Sequence, residues 1–236
     1  MKDQRVGLLI PSSNTVMEVD FQEGLPHEVG LHTARMFMEE TTPEAEGRML
    51  DEFAMPAAMA VATARPDFIL FGCTSAGALR GNAFDAEFCG SIEAATGVEV
   101  VSVIGAVGSA IRRRRARRVG VVTPYVTALN DKIAESLEDG GDIEVAAIDG
   151  MGITENFAIA EIGTKAIVEF AQQTFDGHNI DLAFVSCTNL HGIDARKPLE
   201  AAIGVPVVTS NHAALEETLR RLTAAPLRGR SAGEAA

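Results

Sequence analysis

The sequence contains no apolar run of eighteen residues, and its first residues pass from charged side chains directly into a short apolar segment, residues 6–10. Because a helix needs about twenty apolar residues to cross a bilayer, we expect no transmembrane helix, and we expect no signal peptide either. The three cysteines are an odd number spread over 236 residues, which is not the pattern of a disulfide framework. The expected location is the cytoplasm, where thiols stay reduced.

Positive charge is also scarce. The 33 Asp and Glu residues outnumber the 20 Lys and Arg residues, so the formal net charge is −13. This charge disfavours nucleic acid and anionic membranes as partners. The sequence also lacks glycine-rich nucleotide-binding motifs and clusters of His, Cys and Asp at metal-ligand spacing. By elimination, we predict a reaction that needs no cofactor and no metal ion.

One strongly basic segment interrupts this acidic sequence. Residues 112–118, from Arg112 to Arg118, read RRRRARR and end a predicted helix, where cations complement the helix dipole. We interpret the segment as a solvated helix end, or as a contact between subunits of a homo-oligomer, rather than as a nucleic-acid site.

The chain repeats itself. Three segments recur in the same order in the second half of the sequence, which indicates an internal duplication. Residues 5–11 recur as 118–124, residues 69–74 as 183–188, and residues 93–102 as 200–209.

Each copy contains short apolar runs without strict alternation, which are typical of parallel strands buried on both faces. Examples are residues 68–71, 98–104, 182–185 and 205–208. Helical segments lie between them. One is predicted to begin with Thr42 as N-cap and Pro43 in the first turn, with a kink at Pro56. Another is predicted over Thr164–Phe175.

This order predicts an α/β fold of two similar, doubly wound, Rossmann-like parallel-sheet halves, related by pseudo-two-fold symmetry, with the active site in the cleft between them. The N-terminal half would comprise residues 1–112 and 213–223, because the last predicted helix is expected to pack back on it. The C-terminal half would comprise residues 113–212, and residues 224–236 are predicted to be a disordered tail.

Thiols follow equivalent strands of the two copies. Cys73 comes after the run Phe68–Phe71 and Cys187 after the run Leu182–Val185, and each is followed by threonine. Because ligands of α/β sheets bind beyond the carboxyl ends of the strands, we predict that the two thiols face each other across one ligand. Strand-to-helix turns favour an anion and lower a thiol pKa. Because no Lys, Arg or His occurs at these sites in both copies, we expect the ligand to be a carboxylate held by neutral donors. Cys89 has no counterpart in the repeat and is predicted to lie in the core.

The sequence resembles the aspartate/glutamate racemase superfamily, and within it the branch of the maleate cis–trans isomerases and arylmalonate decarboxylases. Residues 7–18, and residues 32–38 leading to Thr42-Pro43-Glu44, resemble the isomerases. The paired cysteines match the isomerases and racemases, whereas the decarboxylases keep only the cysteine that corresponds to Cys187. Thr74-Ser75 and residues 80–84 are more similar to the decarboxylases.

The isomerase resemblance implies that Cys73 adds to the double bond of maleate and that Cys187 protonates the adjacent carbon. It also implies a set of residues that bind a small mono- or dicarboxylate. Asn14, Tyr125 and Asn156 would hold the carboxylates, and Thr74, Ser75 and Thr188 would add donors.

Three other functions stay open at this point. A racemase would use the same thiols as a two-base pair on an amino or hydroxy acid. A decarboxylase of the arylmalonate type would need only Cys187 as proton donor. A small-molecule binding protein could use the same two-lobed plan without catalysis, although such a protein has no need of paired thiols.

Overall fold

The computed structural model describes residues Gln4–Ala224, and the predicted disordered tail lies outside that range except for Ala224. Eight strands form two parallel sheets of four. They are β1 (Gln4–Pro11), β2 (Val29–Met36), β3 (Phe68–Phe71), β4 (Val100–Ser102), β5 (Arg118–Thr123), β6 (Glu144–Gly150), β7 (Leu182–Val185) and β8 (Val207–Thr209).

Helices connect these strands, as a parallel sheet requires. They are α1 (Met17–Gly24), α2 (Pro43–Arg48), α3 (Ala54–Ala62), α4 (Thr74–Ala78), α5 (Asn82–Thr96), α6 (Val103–Arg113), α7 (Thr127–Glu138), α8 (Asn156–Ile159), α9 (Thr164–Phe175), α10 (Gly192–Ile203) and α11 (Ser210–Ala224). Among the described residues, no helix is long and apolar enough to span a membrane.

The two sheets repeat one topology, which confirms the predicted α/β fold with two similar halves. The strand order is β2-β1-β3-β4 in the first sheet and β6-β5-β7-β8 in the second. The registers also correspond, since Val6 pairs with Phe68 in the first sheet and Val119 pairs with Leu182 in the second. The central strands β3 and β7 are wholly buried, as expected for apolar runs covered by helices on both faces.

The sequence pattern did not reveal the edge strands β2 and β6. Most of their residues are only partly buried, so neither strand carries a continuous apolar run. The predicted strand over residues 98–104 was too long. It ends at Ser102, whose hydroxyl accepts a hydrogen bond from Gly105 N at 3.1 Å and caps α6. Val103 and Ile104 are instead the first two residues of α6, and both are buried.

The helix predicted to begin at Thr42 does so, with Thr42 Oγ1 accepting a hydrogen bond from Ala45 N at 3.2 Å. The expected irregularity near Pro56 takes the form of a π-helical turn, Met49–Phe53, between α2 and α3. Proline lacks an N–H and crowds the carbonyl four residues earlier. Widening the turn ahead of Pro56 accommodates both effects.

The basic segment forms ion pairs within the chain. Arg113 and Arg114 pair with Glu216 at 3.2 and 3.1 Å, which ties α6 to α11. Arg112 pairs with Asp142, and Arg118 pairs with Glu144 beside it in the sheet. The segment is therefore a helix end with intramolecular partners. α11 packs against α6 and α1 as well as α10 and β8, and its assignment to the N-terminal half remains a prediction.

Candidate functional site

Cys73 and Cys187 each lie two residues beyond the end of a central strand, β3 and β7. Both are free and buried, with 4% and 6% of their surface exposed. Gly72 allows the chain to pass close to β1, because a Cβ at that position would lie 2.7 Å from Leu9 O and 2.8 Å from a methyl group of Ile10. A larger residue before Cys73 would displace the thiol.

The two cysteines differ in backbone conformation. Cys73 is extended, with φ −139°, and is the N-cap residue of α4. Cys187 has φ 139°, a positive value that side chains with a Cβ rarely adopt. Strained backbone persists where the surrounding structure imposes it and is frequent at functional sites. Here the amide of Cys187 donates to Ser210 Oγ at 3.0 Å, and the sulfur accepts from Asn189 N at 3.3 Å.

Hydrogen bonds of residues next to the two cysteines join the two halves. Thr74 Oγ1 donates to Ser210 Oγ at 2.8 Å. Asn14 Nδ2 donates to Thr188 Oγ1 at 3.1 Å, and that hydroxyl donates to Gly72 O at 3.1 Å. The predicted residues Asn14, Thr74 and Thr188 therefore meet at one place, and each links one half to the other.

Asn14 also has a local role. Its Oδ1 accepts hydrogen bonds from Val16 N and Met17 N at 3.1 and 3.0 Å, which satisfies free amides at the start of α1. The side chain is fully buried. The arrangement directs the Asn14 amide nitrogen toward the other half.

Asn156 belongs to a strap that joins the two halves beside the site, where its backbone oxygen accepts a hydrogen bond from Asn189 Nδ2 at 2.6 Å. Its Nδ2 donates to Ser13 Oγ at 2.8 Å and its Oδ1 accepts from Thr41 Oγ1 at 3.1 Å. The strap consists of residues 37–42 of one half and 151–156 of the other, and Glu40 and Glu155 form an antiparallel bridge within it. The strap therefore holds Asn156 close to Asn189, two residues after Cys187.

Tyr125, the one tyrosine of the chain, lies beside Cys187. Its hydroxyl is hydrogen-bonded to the Cys187 sulfur and lowers the pKa of that thiol, as do the amides of Asn189 and Leu190. Burial has the larger effect, so the Cys187 pKa is raised to about 11. The pKa of Tyr125 is raised well above its usual range, mainly by burial.

The sequence predicted lowered thiol pKa values, and this was wrong for both cysteines. The pKa of Cys73 is raised well above its usual range by burial and then by the nearby carboxyl of Glu46. α4 has only five residues, so its dipole is too small to offset burial. Cys187 is the more acidic of the two thiols because three hydrogen-bond donors surround its sulfur.

Glu46 is the functional candidate that the sequence analysis missed. It is fully buried in α2, and the Ser75 hydroxyl donates a short hydrogen bond to its Oε1. The Ser75 Oγ lies 3.9 Å from the Cys73 sulfur. Burial raises the pKa of Glu46 to about 8, and the Ser75 hydrogen bond only partly opposes that shift. A glutamate in a TPEAEG stretch gives no sign of burial, so no sequence signal identified it.

Cys89 lies outside the site, as predicted. It is buried in α5 within the apolar cluster that also contains Phe71 and Ile92, and its pKa is raised to about 12 mainly by burial. Within Gln4–Ala224, no group of three or more His, Cys, Asp or Glu side chains could hold a metal ion. The site thus combines two thiols, a phenol, a carboxyl and neutral hydrogen-bond donors, a set suited to proton transfer and to carboxylate binding.

Comparisons with known proteins identify the family of this chain. The family model for arylmalonate decarboxylase matches residues 6–235. A maleate isomerase of Geobacillus stearothermophilus is 26% identical over 94% of this chain and 92% of its own length. An arylmalonate decarboxylase of Bordetella bronchiseptica is 30% identical over 62% of this chain and 61% of its own.

The fold similarity extends over nearly the whole chain. The structure of the Nocardia farcinica maleate cis–trans isomerase bound to TRIS superposes with a TM-score of 0.85 at 25% identity, over 96% of each chain. Together with the family match, this shows that the chain belongs to the arylmalonate decarboxylase family, in the branch that includes the maleate isomerases.

Proposed function

We propose that this protein is a cofactor-independent isomerase that converts maleate to fumarate with Cys73 and Cys187. The observation that carries the proposal is the placement of two free thiols at equivalent strand ends of the two halves, in one buried polar site. The similarity to maleate isomerases over 94% of the chain supports the same reaction. The substrate would be a small carboxylate, and we expect a cytoplasmic protein without nucleic-acid or membrane partners.

In the proposed mechanism the reacting form is the one in which Cys73 has lost its proton to water, a minor form because burial raises the pKa of that thiol. The thiolate adds to one alkene carbon, and the electron pair of the double bond moves to the adjacent carbon, where the carboxylate stabilises it. Cys187 gives its proton to that carbon and becomes the thiolate. The carbon–carbon bond is now single and rotates. Cys187 then removes a proton, the Cys73–carbon bond breaks, and fumarate leaves with no net proton change.

The surroundings of the two thiols suit these unequal roles. A proton donor works best when its conjugate base is stabilised, and the Tyr125 hydroxyl and two amides stabilise the Cys187 thiolate. Once it has formed, the Cys73 thiolate is the stronger nucleophile of the two, because the nucleophilicity of a thiolate rises with the pKa of its thiol and Cys73 has the higher pKa. Asn14, Asn156, Thr74, Ser75, Tyr125 and Thr188 are the proposed carboxylate-binding residues.

The proposal is tested by following the vinyl proton signals of maleate and fumarate by NMR. The wild type should convert maleate, Cys73→Ala and Cys187→Ala should not, and Cys89→Ala should remain active because Cys89 lies in the apolar core. Activity in Cys73→Ala would contradict the role of Cys73 as nucleophile. Incorporation of solvent deuterium at the α-carbon of an amino or hydroxy acid, without maleate turnover, would favour a racemase.

An arylmalonate-type decarboxylase is the second candidate, favoured by the 30% identity to the Bordetella bronchiseptica enzyme. Loss of carbon dioxide leaves an enediolate that Cys187 alone could protonate. Release of carbon dioxide from phenylmalonate by both the wild type and Cys73→Ala would support this candidate. Cys73 would then have no catalytic role.

A further inference from the structure

We propose that Glu46 binds a carboxylate of the substrate as a neutral acid, donating the hydrogen on its Oε2 to a carboxylate oxygen. This inference rests on the proposed dicarboxylate substrate. It makes Glu46 a specificity-determining residue of the same site.

The first observation is an unpaired atom. Glu46 is fully buried, and its Oε2 has no hydrogen-bond partner among residues Gln4–Ala224. Its Oε1 accepts the Ser75 hydroxyl hydrogen, so a proton on the carboxyl belongs on Oε2. That O–H is then a buried donor without an acceptor, which is unfavourable until an acceptor arrives.

The second observation is where Glu46 lies. Its charge affects the pKa of Cys73, Cys187 and Tyr125, which places the carboxyl close to the reacting groups. Its hydrogen-bond partner, Ser75, lies beside the Cys73 sulfur. A ligand held between the thiols would therefore come near this donor.

The third observation concerns charge. Among residues Gln4–Ala224, the ionisable groups whose pKa values Glu46 raises are the two thiols and Tyr125, all of which are neutral or negative. On its own helix and nearby, Arg48 pairs with Glu52 and Arg80 pairs with Asp51 at the surface. An ionised Glu46 would repel both a dicarboxylate and the Cys73 thiolate. A neutral Glu46 attracts the ligand and adds no charge.

Titration gives the direction of the effect. Glu46 keeps its proton up to about pH 8, so binding of a dicarboxylate should be constant below that pH. Above it, the carboxyl must take up a proton before it can donate to the ligand. The affinity should then fall by up to tenfold per pH unit.

The experiment is titration calorimetry with succinate, a four-carbon dicarboxylate without a double bond, from pH 6.5 to 9.5 in buffers of different ionisation enthalpy. The wild type should lose affinity above pH 8 and take up close to one proton per succinate at pH 9.5. Glu46→Gln keeps a donor that cannot ionise, so its affinity should not vary with pH. Asp85→Asn, a matched change at a buried carboxyl bonded to Ser102, should behave like the wild type.

A second measurement uses only the wild-type protein and so does not depend on whether a variant folds. Succinate should shift the infrared C=O band of a protonated carboxyl in the wild type at pH 7. The reason is that a new hydrogen bond from the Glu46 O–H changes the strength of the C=O bond in the same carboxyl group. Wild-type affinity that is unchanged from pH 7 to 9.5, an unshifted band, or the same loss in Glu46→Gln would overturn the inference. Release of a proton when succinate binds would also overturn the inference, because it would mean that Glu46 is ionised in the complex.

The outcomes separate the two proposals. Maleate turnover together with pH-independent succinate binding overturns the role of Glu46 and leaves the isomerase intact. The expected succinate behaviour without maleate turnover overturns the isomerase and leaves the role of Glu46 intact. Failure of the wild type to bind succinate at pH 7 overturns the role of Glu46.

Discussion

The hydroxyl of Tyr125 is hydrogen-bonded to the sulfur of Cys187 and lowers the pKa of that thiol. This bond joins the end of β5 to the end of β7, two strands that are neighbours in the sheet. The phenol therefore stabilises the thiolate that Cys187 leaves when it gives up its proton.

Tyr125→Phe should raise the pKa of Cys187 above its present value of about 11. A hydrogen bond to a charged group is worth about 1.5–3 kcal/mol, so alkylation of Cys187 at pH 9 should slow by about tenfold or more. Iodoacetamide labelling followed by peptide mass spectrometry measures the rate at each cysteine. The rate at Cys89 is the internal control, and an equal slowing at Cys89 would point to a general change in structure instead.

Asn14→Asp should separate the two roles of Asn14. The aspartate keeps an acceptor for Val16 N and Met17 N but has no donor for Thr188 Oγ1. We expect kcat/KM to fall at least tenfold and the free energy of unfolding to fall by about 1–3 kcal/mol, because a buried polar contact is broken.

The matched control for this change is Asn82→Ala. Asn82 also joins the halves, through hydrogen bonds to Ser136 O and Asp139, but it does so away from the thiols. Its loss should reduce stability and leave kcat/KM nearly unchanged. If both variants lose activity in proportion to stability, Asn14 has no specific role in the site.

Thr41→Val should weaken the strap that holds Asn156, one of the proposed carboxylate-binding residues. Valine has the shape of threonine but cannot donate to Asn156 Oδ1, an acceptor that is buried. We expect KM for the carboxylate substrate to rise severalfold, with a loss of about 1–2 kcal/mol in the free energy of unfolding. Steady-state kinetics and urea unfolding measure the two effects. Thr63→Val, at an exposed hydroxyl that bonds Ala60 O within its own helix end, should change neither.

Glu46→Gln should stabilise the protein at pH 8 and not at pH 4. In the unfolded chain Glu46 ionises near pH 4.5, whereas in the folded protein it keeps its proton up to about pH 8. The stability that Glu46 contributes is therefore complete below pH 4.5 and is lost as the pH rises through 8.

The difference in free energy of unfolding between the variant and the wild type should grow by about 1.4 kcal/mol per pH unit over that window and then level off. Urea unfolding at half-unit intervals from pH 4 to 9 measures the difference. A constant difference across this range would show that Glu46 does not hold its proton.

The duplication was visible in the sequence because each repeated feature is a short segment of consecutive residues. Buried central strands such as β3 and β7 are short apolar runs, and the residues that follow each run can be identified by position alone. The two cysteines and their threonines were predicted on that basis. The edge strands were not predicted, because most of their residues are only partly buried or exposed and neither strand has a continuous apolar run.

The sequence by itself determined the α/β class, the repeated halves and the equivalent positions of Cys73 and Cys187, since each depends on residues near one another in the chain. Only the tertiary structure decided that Glu46 is buried beside Ser75, that residues 37–42 pair with residues 151–156, and that burial raises both thiol pKa values. The burial of a side chain and its distance from other charged groups depend on which segments, distant in the sequence, pack together, and a local sequence pattern does not contain that information.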